Sequence, residues 1–192
     1  MIDLIYPFDI APVVPAPTAG SKAVTAHGSE WFPIVLPSGM GVGRSTREYC
    51  HSGAKPLHPV IHIHIIDRFS RIYLQKRSMR KDIQPGKWDT AVGGHVDLGE
   101  SVEQALVREI REELGITLEA IPSRIGQYVF ESDRERELVF VHKAVYDAPI
   151  FPSDELDGGR FWPLHEIKEQ LEKGIFTPNF ESEFLRFEKL LQ

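Results

Sequence analysis

The stretch GHVDLGESVEQALVREIREELGI, residues 94–116, constrains this chain more than any other. Ser101 and Gln104 form a capping-box pattern, in which two side chains satisfy backbone N–H groups at a helix start. Gly115 is the residue type that ends a helix in the left-handed conformation. Between them Val102, Ala105, Leu106, Ile110 and Leu114 recur at helical spacing and form a stripe for burial. A helix turns about 100° per residue. Glu109, Glu112 and Glu113 therefore share one face, and that face borders the apolar stripe. The pattern predicts a helix with three partly desolvated carboxylates at the edge of a core.

Like charges on neighbouring turns repel, and more strongly where water is excluded. A helix needs a counter-charge to hold them together. A cluster of hard oxygen ligands suits Mg²⁺ or Mn²⁺. A lone E-x-x-E-E is more often a solvated acidic face. Arg108 beside the cluster and Glu100 at the helix entrance shift the balance, since an Arg–Glu pair would brace the loop against the helix.

Gly94, Glu100, Arg108, Glu109, Ile110, Glu112, Glu113, Gly115 and Ile116 match every position of the G-x5-E-x7-R-E-U-x-E-E-x-G-U signature, without a gap. On these residues the chain resembles the Nudix hydrolases. The resemblance implies an α/β class, a Nudix-type α/β/α sandwich with a central mixed sheet, and metal-dependent hydrolysis of a diphosphate linkage. It implies that Glu109, Glu112 and Glu113 bind metal, with the Gly93 carbonyl a further ligand. Glu100 and Arg108 would be the bracing pair.

The rest of the chain fits one domain. At 192 residues it can bury a sizeable core. Its 22 Lys and Arg against 28 Asp and Glu argue against a nucleic-acid-coating role. The single Cys50 excludes an internal disulfide and fits a reducing cytoplasm. The start, MIDLIYPFDI, does not read as a secretory signal. No apolar run approaches the ~20 residues that span a membrane. Residues 1–28 are rich in Pro, Ala and Thr and read as an irregular lead-in, with a single domain over 29–192.

Residues 30–49 read as two short strands around a Pro-Ser-Gly turn. Residues 59–66 are a clear strand, with Ile61, Ile63 and Ile65 on one face and His62 and His64 on the other. Two alternating His are more often polar residues in a sheet surface than ligands. RIYLQKR is the hairpin partner, and Trp88 begins a strand that delivers the chain to Gly93-Gly94. Arg68, Arg71, Lys76, Arg77, Arg80, Lys81 and Lys87 form a local cationic run in an acidic chain. Its plain reading is a solvated hairpin. Its functional reading is recruitment of phosphate, with Arg77, whose guanidinium forks onto phosphate oxygens, and Lys81 as the contacts. Beyond the signature, residues 125–130, 138–146 and 160–162 read as strands. Helices follow from Pro163 and after Phe176; Phe180, Phe184, Phe187, Leu190 and Leu191 line the apolar side of the last one. That side could close the sandwich or meet a second subunit in a homodimer.

A second, more local resemblance lies around Cys50-His51, Leu57-His58-Pro59, LQKRSMRKDIQPGKWDT, VGGH and Glu135-Arg136-Glu137. These segments look like isopentenyl-diphosphate isomerase, an enzyme of the same fold. The resemblance implies a second metal held by His51, His58, His95, Glu135 and Glu137. The chain departs from that family at Gly93, where the isomerase has a catalytic Cys. The isomerase also degrades the hydrolase signature, which is whole here.

The expected function is therefore hydrolysis of a small-molecule diphosphate, with Glu112, Glu113 or Glu137 accepting a proton from the attacking water. Isomerase-like activity, or a module that senses a diphosphate ligand without turnover, are the alternatives.

Overall fold

The computed structural model describes residues 30–81 and 83–191; the expected lead-in over 1–28 lies outside the described residues. Along the chain the first elements are β1 (Trp31–Val35), β2 (Gly41–Thr46), α1 (Arg47–Cys50), β3 (His58–Ile66), β4 (Ile72–Arg77), β5 (Trp88–Asp89) and β6 (Val92–His95). There follow α2 (Val102–Leu114), β7 (Ser123–Glu131), β8 (Arg136–Val145), β9 (Leu156–Trp162), α3 (Leu164–Gln170), α4 (Pro178–Phe187) and a closing 3₁₀ turn. The larger sheet has the order β5-β4-β3-β8-β7, with β6 also paired to β3 and β9 to β4. The described residues divide into two compact units interleaved in sequence. One holds residues 30–61, 94–105 and 127–140, the other residues 62–93, 106–126 and 141–191. Strands β3, β6, β7 and β8 and helix α2 contribute residues to both.

In the first unit, β1 and β2 pair antiparallel, with Trp31 opposite Thr46 and Ile34 opposite Gly43. Their turn needs Gly39, whose φ is 86°. The Thr46 hydroxyl accepts from Tyr49 N at 3.3 Å and caps α1, a four-residue helix too short for any sequence periodicity to reveal. Phe32, Ile34 and Cys50 form a small buried cluster with Val42 against it. The capping box at the start of α2 is formed as expected. Ser101 N donates to Gln104 Oε1 at 2.8 Å, and Gln104 N to Ser101 Oγ at 3.2 Å.

In the second unit, β3 and β4 form a hairpin in which Ile66 faces Ile72. The Asp67 carboxylate makes the turn by accepting from Phe69 N and Arg71 N at 3.0 and 2.9 Å. β9 is longer than expected and lies antiparallel to β4, Gln75 opposite Gly159. A side chain at Gly159 would collide with the Tyr73 hydroxyl, so only glycine fits. The expected single strand from Trp88 is broken, because Thr90 N turns back onto Asp89 Oδ1 at 2.9 Å. Ile66, Ile72, Leu74, Trp162, Ile167, Phe176, Phe180, Phe184 and Leu191 form the core here, with Trp88 packed against it. Helix α4 is capped by Thr177, whose hydroxyl accepts from Phe180 N and donates to Asp89 at 2.8 Å. Gly115, with φ 64°, ends α2 as its sequence position implied. Among the described residues no helix is long and apolar enough to cross a membrane.

Candidate functional site

Helix α2 carries the acidic face in the second unit. Arg108 Nη1 lies 2.7 Å from Glu109 Oε1 and 3.3 Å from Glu112 Oε2, so one guanidinium serves two carboxylates. Glu113 turns the other way. Its Oε2 accepts from Gly93 N at 3.2 Å and from Gln75 Nε2 at 3.4 Å. Burial and the charge of Glu109 push the Glu113 carboxyl up to about 8, with Asp89 adding to the rise while Gly93 N–H and Lys81 oppose it. Glu112 is the open member, its side chain 59% exposed. Glu100, in the first unit, accepts from Asp97 N at 3.1 Å.

The two cations singled out from sequence behave differently. Arg77 is engaged by the protein itself, donating to Ile83 O through Nε and Nη2 and to Asp89 Oδ2 at 3.2 Å. A phosphate taking Arg77 would compete with Asp89. Lys81 Nζ stands 3.5 Å from Glu155 and close enough to Glu113 to lower its pKa.

The first unit holds a separate cluster of imidazoles. Ligand atoms of His51, His58, His95 and Glu137 all lie within 4.8 Å of one another. His51 Nε2 is 3.1 Å from His95 Nε2, and Glu135 Oε2 is 3.7 Å from His51 Nε2. The ring of Phe32 stacks on His95 with centroids 4.3 Å apart. His58 Nδ1 is tied to Pro56 O at 3.0 Å, which presents Nε2 to the cluster. That nitrogen is buried and has no hydrogen-bond partner in the protein. Burial, then His58, Arg47 and Arg134, lower His51 to about 4, and burial lowers His58. Both rings are therefore neutral near pH 7, the form that ligates metal. Burial also raises Glu135.

A family model described as a NUDIX domain matches residues 56–180. The chain belongs to the Nudix family. It is 34% identical over 88 residues to an isopentenyl-diphosphate Delta-isomerase of Leifsonia xyli, covering 46% of this chain and 48% of that one. It is 37% identical over 89 residues to an uncharacterized Nudix hydrolase of Pseudomonas aeruginosa, covering 46% and 52%. The matched parts span about half the length of these two relatives. The crystal structure of a MutT protein from Methanosarcina mazei superposes with a TM-score of 0.62 at 28% identity, over 71% of this chain and 96% of that one. The Nudix fold, a mixed sheet with helices in the α/β class, is thus shared.

Both donor sets fit a divalent metal. Burial first, and then the charge of Glu109, drive the Glu113 carboxyl on α2 toward protonation, and a bound cation would oppose both. An orphaned imidazole nitrogen among three rings suits a borderline ion.

Sequence reasoning missed two features of this Nudix chain. Arg47 Nη1 lies 3.4 Å from His95 Nδ1 and 3.1 Å from Glu30. Its position before a Cys-His pair carries no local signal. His62 and His64, read as sheet-surface residues, converge on one buried carboxylate of α4. His62 Nδ1 is 2.8 Å from Glu183 Oε2, and His64 Nε2 is 2.7 Å from Glu183 Oε1. Burial alone would raise Glu183, but the charge and hydrogen bonds of the two imidazoles hold it well below the usual carboxylate range.

Proposed function

We propose that the chain hydrolyses a diphosphate linkage in a nucleoside diphosphate derivative or a related small molecule, with Mg²⁺ or Mn²⁺ held by Glu109, Glu112 and Glu113. The observation that carries this reading is the carboxylate crowding on α2. Arg108 balances two members, and Glu113 is pushed up to about 8. A divalent cation, when bound, neutralises diphosphate charge and lowers the pKa of water. Gly93 N–H and Gln75 fix the Glu113 carboxylate. Arg108 holds Glu109 and Glu112 on one side. Lys81 supplies positive charge for an incoming anion.

The experiment is phosphate or phosphomonoester release with Mg²⁺ from nucleotide sugars, ADP-ribose, dinucleotides, CoA and prenyl diphosphates. Turnover of at least one, lost in Glu112→Gln and Glu113→Gln, supports the reading. Binding without turnover in the wild type favours a ligand sensor instead.

The imidazole cluster supports a second metal, at His51, His58, His95 and Glu137 with Glu135 beside them. It also justifies the prenyl diphosphate in the panel. Isomerisation itself is disfavoured, because Gly93 offers no side chain for proton transfer.

A further inference from the structure

We propose that Tyr73 and Gln75, joined by one buried water, are positioning residues for Glu113. Together they hold Glu113 Oε2 and leave Oε1 to a metal. The inference rests on the metal assignment in the hydrolase reading above.

Both hydrogen bonds given to the Glu113 carboxylate end on Oε2, from Gly93 N at 3.2 Å and from Gln75 Nε2 at 3.4 Å. Oε1 receives neither. An amide side chain has a donor end and an acceptor end. With Nε2 turned to Glu113, Gln75 directs Oε1 away from that carboxylate. This oxygen is buried and has no hydrogen-bond partner in the protein. Two residues earlier, on the same face of β4, stands Tyr73. Its hydroxyl is buried and has no partner in the protein either. Gln75 and Tyr73 are 5% and 2% exposed, so bulk water reaches neither group.

Buried polar groups are as a rule hydrogen-bonded, so two orphans on one face call for a common partner. The Tyr73 hydroxyl leans along the sheet toward Gln75. A Cβ on Gly159 would overlap it, and Gly159 is the residue of β9 paired with Gln75. Side chains paired across two strands start about 5 Å apart. The Tyr73 oxygen and Gln75 Oε1 therefore stand roughly two hydrogen bonds apart, the span of one bridging water. The types match as well, since a hydroxyl donates and an amide carbonyl accepts. Tyr73 O–H donates to the water, the water donates to Gln75 Oε1, and Gln75 Nε2–H donates to Glu113. Every donor in this row points toward the carboxylate, and bonds in such a row polarise one another. The row also fixes the amide. Turned over, Gln75 would set its own oxygen against a Glu113 oxygen, two acceptors face to face. Tyr73, Gln75, Gly93, Glu113 and Gly159 all belong to the second unit.

The test is Mn²⁺ affinity at this site, read as the equivalent that Glu113→Gln removes in calorimetric titration of the full chain. Partners that orient metal ligands are worth about 10- to 100-fold in affinity. Gln75→Met keeps the side-chain length and loses the amide; it should weaken that equivalent about 30-fold. Tyr73→Phe removes one oxygen and should weaken it about tenfold. Because Tyr73 acts only through Gln75, the double variant should bind no more weakly than Gln75→Met alone. Wild-type affinity in Tyr73→Phe overturns the proposal, as a ring with only a packing role would give. Losses that multiply in the double variant overturn it too, as two independent contacts would give.

A second readout needs no metal. In wild type, water-to-protein NOE spectra should show one long-lived water touching both the Tyr73 ring and the Gln75 side-chain amide, and Tyr73→Phe should lose it. No such water in wild type overturns the proposal. Where Gln75→Met does not fold, Tyr73→Phe and this spectrum decide. Equal stoichiometry and affinity in wild type and Glu113→Gln defeat the metal assignment and this inference with it. An unaffected Tyr73→Phe defeats this inference alone.

Discussion

The two polar clusters respond to burial in opposite ways. In the first unit, burial drives His51 down to about 4 and lowers His58, so the rings meet a metal already deprotonated. In the second, burial and Glu109 drive Glu113 up to about 8, so its carboxyl must lose a proton to bind one. Desolvation favours the neutral form in both places. For an imidazole the neutral form is the ligand; for a carboxyl it is not. On the proposed reading the first cluster would meet a borderline ion preformed, while in the second a hard cation would offset the burial and the Glu109 charge that raise Glu113.

The largest effect should separate the clusters by chemistry. Glu112→Gln and Glu113→Gln are expected to lower turnover by about 10²-fold or more while far-UV circular dichroism stays native, as expected for ligands of a catalytic metal. Full activity in both would break the assignment of the acidic face.

Metal content sharpens the contrast next. His58→Ala combined with Glu137→Gln should remove one equivalent of Zn²⁺ or Mn²⁺ measured after dialysis. Equal stoichiometry in wild type and variant would remove the imidazole site.

Stability of the metal-free protein should show two opposite pH slopes. His51 is lowered from 6.5 to about 4, so its contribution is present above 6.5 and lost as pH falls toward about 4. Glu113 is raised from 4.5 to about 8, so its contribution is present below 4.5 and lost as pH rises through about 8. His51→Gln should flatten the acid slope, and Glu113→Gln the neutral-to-alkaline slope, by ~5 °C in Tm. The same slopes in both variants would mean that neither group titrates as the geometry implies.

The smallest effects test the helix that supplies residues to both units. Ser101→Ala removes the cap and Gly115→Ala strains a φ of 64° beside Phe151 O. Each should cost about 1 kcal/mol in urea unfolding. A loss confined to one variant would show that α2 is anchored mainly by the end that variant alters.

What sequence alone made legible was local. Three glutamates at i, i+3 and i+4 can only share a face, because the helical repeat is fixed by backbone geometry. A Ser-x-x-Gln start and a Gly stop act through bonds a few residues long, and both formed as read. The strand with Ile61, Ile63 and Ile65 on one side followed from the same kind of rule, and all three are fully buried. The signature likewise located the family.

Tertiary structure decided which distant groups meet. Glu183 lies 121 residues from His62 and 119 from His64, and no periodicity links an acid on the last helix to two imidazoles on β3. Arg77 was open to a phosphate in the sequence; its fold neighbour Asp89 now holds it. The ranking of the glutamates was also hidden. Equal in sequence, they differ because Arg108 reaches Glu109 and Glu112 while Glu113 points at Gly93. Short-range backbone rules write the elements, but desolvation and charge pairing depend on what packs beside them, and only folding supplies that.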